Sequence, residues 1–91
     1  MRQKERKALQ DFMNQHQDFS REQDRIFKEL QDMSRAADMV VYCSAESNAK
    51  QLYELGITRA KGMYERYMVL GAKLDLLNDY GAMLADLNFW R

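Results

Sequence analysis

His16 is the only histidine and Cys43 the only cysteine among the 91 residues, so the side chains that most often serve as general base and nucleophile occur once each. Nucleophilic catalysis needs the base beside the nucleophile. Along one continuous helix, at roughly 1.5 Å per residue, these two stand about 40 Å apart. No Asp or Glu lies three residues from His16, the spacing at which helical bundles present a carboxylate and an imidazole to one metal ion. Asp75 and Asp79 share a helix face, but carboxylates spaced this way on a solvated helix are ordinary surface charge. The four glycines are scattered rather than gathered into a phosphate-cradling loop. These residues together predict a chain that is not an enzyme and that carries no metal, cofactor or small-molecule substrate.

Binding chemistry is better represented. Arg2, Lys4, Arg6 and Lys7 form a basic cluster able to neutralise a few phosphates. Fourteen Lys and Arg are balanced by fourteen Asp and Glu over the whole chain, unlike the basic footprint of a nucleic-acid-binding domain. Nucleic-acid contact through that cluster, on a dimer of helical hairpins, is therefore the alternative reading. Protein contact is the main one. Seven methionines supply adaptable surface, and five tyrosines and one tryptophan combine apolar area with a polar tip. The expected partner-binding residues are Tyr53, Tyr64, Met68, Leu76, Tyr80, Met83, Leu87 and Trp90, the last in the terminal run Asn88-Phe89-Trp90-Arg91.

Helices must position these side chains. Proline is absent, and Ala, Leu, Met, Gln, Glu, Lys and Arg, the better helix formers, dominate. In the first half a heptad seam runs by steps of three and four through Leu9, Phe12, His16, Phe19, Gln23, Ile26, Leu30, Met33, Ala37 and Val40. His16 and Gln23 interrupt it as polar residues. Each is a candidate for fixing register, and His16 also for making association sensitive to pH. In the second half Ala60, Met63, Tyr67, Leu70, Leu74, Leu77, Gly81 and Leu84 form a matching seam. Gly81 falls on it, where a missing side chain lets a backbone or a ring such as Phe12 or Phe19 come close. Gly62 reads as a tolerated surface position.

The expected architecture is all-α: one helical domain spanning 1–91, with a helix over about 5–42, a turn over about 43–47 and a helix over about 48–88. Folded back, the two long helices make an antiparallel, coiled-coil-like hairpin. Ser44 or Ser47 is the expected N-cap of the second helix. Ser20, followed three residues later by Gln23, offers another break. Gly56 offers a third: it either caps a short helix ending at Leu55 before Thr58 starts another, or sits inside a continuous helix.

The second helix carries more apolar surface than one hairpin partner can cover. Beside its seam runs a second stripe, Leu76, Tyr80, Met83, Leu87 and Trp90, continued toward the N-terminus by Tyr53, Ile57, Tyr64 and Met68. Either the chain breaks near Ser20 into a three-helix bundle, or another copy or another protein completes the bundle. The lone Cys43 can form no intramolecular disulfide, and neither a secretory leader nor a membrane-spanning run is evident, so the cytoplasm is the expected compartment.

Overall fold

The computed structural model describes residues 3–89, with the side chains of all of these except Glu5 and residues 84–89. It is all-α, with helices α1 (Gln3–Ala36), α2 (Ala45–Glu54) and α3 (Arg59–Phe89). Partners of Phe12 and Glu22 on α1 are Gly81 and Arg66 on α3. Contacts thus run backward along α3 as α1 advances, and the two long helices are antiparallel.

Helix α1 passes through Ser20 without interruption, so the break considered there does not occur. The seam explains why: Phe19, Gln23 and Ile26, on either side of Ser20, all turn inward in one phase. Three helices do pack together, but the third is cut from the second half of the chain at Gly56. The continuous helix expected over about 48–88 is therefore two, and the first of them begins at Ala45.

Both interhelical breaks are built alike. After α1, the Met39 N–H donates to the Ser34 carbonyl at 2.9 Å and the Asp38 N–H to the Arg35 carbonyl at 3.0 Å, with Asp38 at φ +58°. After α2, the Ile57 N–H donates to the Leu52 carbonyl and the Gly56 N–H to the Tyr53 carbonyl, both at 3.0 Å, with Gly56 at φ +101°. Each is a Schellman motif, in which one left-handed residue closes the helix and the next apolar side chain folds back on it. Met39 and Ile57 both pack against the core. Helix α1 consequently stops at Ala36, short of the expected 42, and Val40 leaves the seam to become exposed.

Ser44 caps α2: its backbone is extended and its Oγ accepts from the Ser47 N–H at 3.3 Å. The segment between α1 and α2 is pinned by fully buried Asn48. The Asn48 Oδ1 accepts from the Tyr42 N–H and Nδ2 donates to the Tyr42 carbonyl, both at 2.9 Å, while the Ser34 hydroxyl donates to Oδ1 at 3.2 Å. Gln51 Nε2 adds bonds to the Ser34 hydroxyl and the Val40 carbonyl. One side chain thereby satisfies both backbone groups of Tyr42, which would otherwise be costly to cover.

The core lies at the α2 end. Leu30 of α1, Leu52 of α2 and Leu70 of α3 are fully buried, with Ile26, Ala49 and Ala60 around them. Burying each leucine is worth about 1.5–3 kcal/mol. Toward the other end of the 56 Å long molecule, only α1 and α3 remain side by side. There Leu9, Phe12, Phe19, Leu74 and Leu77 are half-buried.

Candidate functional site

Helix α3 shows apolar side chains on two opposite faces. Ala60, Met63, Tyr67, Leu70, Leu74 and Leu77, the seam read from the sequence, face the other helices and are buried or half-buried. At about 100° per residue, a second line of Val69, Ala72, Leu76, Tyr80 and Met83 lies on the side away from that seam, and all five are exposed, although the Tyr80 ring also reaches Phe12 of α1, 6.4 Å between ring centroids. Leu76 is 69 % exposed and Met83 61 %. The outer face of α1 differs: it is lined by Arg21, Asp24, Arg25, Lys28, Glu29 and Asp32, as expected of a solvated helix.

The expected partner-binding residues divide on this surface. Leu76, Tyr80 and Met83 lie on the outward line, and Met68 flanks it, also exposed. Tyr64 is instead half-buried, stacked on Tyr67 at 6.2 Å between ring centroids and packed against the core. Tyr53 is exposed on α2, with Lys61 Nζ 5.9 Å above its ring. The break at Gly56 separates Tyr53 and Ile57 from the α3 line, so the stripe is not continuous through them. Leu87 and Trp90 lie outside the described side chains, as does Arg2. Val69 and Ala72 belong to the line too, since steps of four and three back from Leu76 land on them rather than on Met68 and Tyr64.

Charge beside the line is unevenly committed. Arg66 grips Glu22 of α1 through two bonds, Nε to Oε1 and Nη2 to Oε2, each 3.1 Å. Chiefly through that hydrogen bond, and aided by the charge of Arg66, the Glu22 carboxyl is held below its usual range and the Arg66 guanidinium is raised. Lys73 Nζ lies 5.2 Å over the Phe19 ring of α1. Glu65, Asp75 and Asp79 stand exposed along α3. Among the described residues none of the three is in an ion pair.

Gln23 and His16 sit where the seam places them. Gln23 Nε2 donates across the hairpin to the Tyr67 carbonyl at 3.3 Å, over Gly71, where an added Cβ would meet that nitrogen at 3.1 Å. His16 is half-buried, its ring 5.9 Å from that of Phe12. Lys4, Arg6 and Lys7 are exposed in the first turns of α1. Among the described residues no three His, Cys, Asp or Glu side chains gather to hold a metal ion, and no helix is long and apolar enough to cross a membrane. No protein family, no curated protein and no solved structure matches the chain.

Proposed function

We propose that this chain is a non-catalytic protein-interaction module that works by helix–helix association, with the outward line of α3 as its docking face. Adaptors, small chaperones, groove-filling inhibitors and structural subunits all use this mechanism. The observation that carries it is the exposure of Val69, Leu76, Tyr80 and Met83 on one face of one helix. Each large apolar side chain left in water forgoes about 1.5–3 kcal/mol of burial, and contiguous patches of this kind mark interfaces. At the α2 end a third helix covers the inner seam of α1 and α3. The other end has two helices only.

The test is the double variant Tyr80→Ala with Met83→Ala. Truncating buried large residues costs about 2–5 kcal/mol each, whereas truncating these exposed residues costs the free chain no more than the one tilted contact of Tyr80 with Phe12 contributes, about 0.5–1.5 kcal/mol. Association read by light scattering should fall while helicity read by circular dichroism holds. Equal loss of both would assign these residues to the chain's own core and end the proposal.

A further inference from the structure

We infer that the occupant of the α3 line is a basic amphipathic helix of another protein, one whose apolar seam is flanked by Lys or Arg. This rests on the interaction reading above and specifies the partner's chemistry. Both cations nearest the line are already engaged by α1: Arg66 by the Glu22 carboxylate at 3.1 Å and Lys73 by the Phe19 ring. What remains open beside Val69, Ala72, Leu76, Tyr80 and Met83 is acidic. Glu65 lies at the N-terminal end of the line, and Asp75 and Asp79 lie along one edge of it, all exposed.

In paired helices the apolar seam supplies adhesion, while charges flanking it choose the partner. A helix laid on this line sets its own flanking residues against Asp75 and Asp79. Lysine or arginine there is attracted, and glutamate or aspartate is repelled. A second copy pairing through the same line would bring the same carboxylates and the same two occupied cations, so line-on-line self-pairing lacks the complementarity that a basic helix offers. From Val69 to Met83 the line is about 21 Å long at 1.5 Å per residue. A contact of that length is short, and the expected complex is correspondingly weak and salt-sensitive.

The experiment uses the full chain and two labelled 21-residue amphipathic peptides sharing one Leu/Ile seam, with Lys at the flanking positions of one and Glu at those of the other. Fluorescence anisotropy at low salt should show the Lys peptide bound at least tenfold more tightly. That advantage should shrink in 0.5 M salt and in Asp75→Asn with Asp79→Asn, and all binding should vanish in Leu76→Ala with Met83→Ala. Equal binding of the two peptides, or tighter binding of the Glu peptide, overturns the charge preference. If Leu76→Ala with Met83→Ala still abolishes that binding, the interaction reading survives. Binding of the Lys peptide that ignores both pairs of substitutions overturns the site. A wild-type dimer that Leu76→Ala dissolves makes the occupant a second copy, overturning this inference but not the interaction reading. Failure of both peptides to bind at 1 mM overturns the inference, and the stability test with Tyr80→Ala and Met83→Ala then judges the broader reading separately.

Discussion

The ring of Phe12 on α1 rests directly on Gly81 of α3, so closely that a Cβ built at that glycine would stand 2.5 Å from Phe12 Cζ. This contact closes the two-helix end of the hairpin, and the Tyr80 ring continues it, tilted against Phe12 with 6.4 Å between ring centroids. Gly81→Ala gains about 1 kcal/mol of helix propensity but overpacks a site where relief costs about 1–3 kcal/mol. The expected outcome is a net loss of about 1 kcal/mol in urea unfolding, recovered when Phe12→Leu is added. Gly62→Ala, with nothing within 4 Å of the new Cβ, isolates the propensity gain and should stabilise.

Asp38 and Gly56 occupy equivalent left-handed positions in two like helix ends, yet only one is glycine. A left-handed residue with a Cβ costs roughly 1–2 kcal/mol, partly offset because glycine adds entropy to the unfolded chain. Asp38→Gly should therefore stabilise by about 0.5 kcal/mol. Gly56→Ala should destabilise by about 1 kcal/mol or more although it meets no neighbour. Thermal melts of the pair check both signs.

Asn48 is fully buried and holds Tyr42 by both backbone groups. Asn48→Ala strands the Tyr42 N–H, leaves the Tyr42 carbonyl to Gln31 Nε2 and the Ser34 hydroxyl to Gln51 Nε2 alone, and a buried group left unsatisfied costs about 1–3 kcal/mol. Unfolding stability should drop by about 2–3 kcal/mol, and hydrogen exchange should show the Tyr42 amide losing protection. A drop no larger than that of an exposed substitution would remove Asn48 as the clasp of this segment.

Glu22 is held below its ordinary value of 4.5, first by the hydrogen bond from Arg66 and then by that residue's charge. The folded state thus binds its proton less readily than the unfolded state. The pair's contribution is complete above the unfolded glutamate value and is lost as pH falls through the lowered folded value. Wild type should melt above Glu22→Gln at pH 7, and the gap should close as pH is taken down through the lowered value of Glu22. A gap that stayed constant across that range would detach the ion pair from stability.

The residue pattern determined what depends on spacing alone. It specified an all-α chain, the facing seams of α1 and α3 and the phase that carries α1 straight through Ser20, and it narrowed the cap of α2 to Ser44 or Ser47 and the neighbour of Gly81 to a backbone or a ring such as Phe12 or Phe19. It also showed that the second half has an apolar face to spare, because side chains three and four apart share a face wherever the backbone is helical. Tertiary structure decided where helices end and which surplus stays outside. Asp38 ends α1 with neither glycine nor proline to announce it, since its left-handed backbone is compensated by Met39 folding onto the core. Gly56 was compatible with an intact helix until Ile57 and Leu52 closed the turn. That turn seats α2 over Leu30 and Leu70, buries the face that includes Tyr64, and leaves Val69, Leu76, Tyr80 and Met83 in solvent. The partners that select a cap or cover a stripe come from distant parts of the chain, and local periodicity carries no record of them.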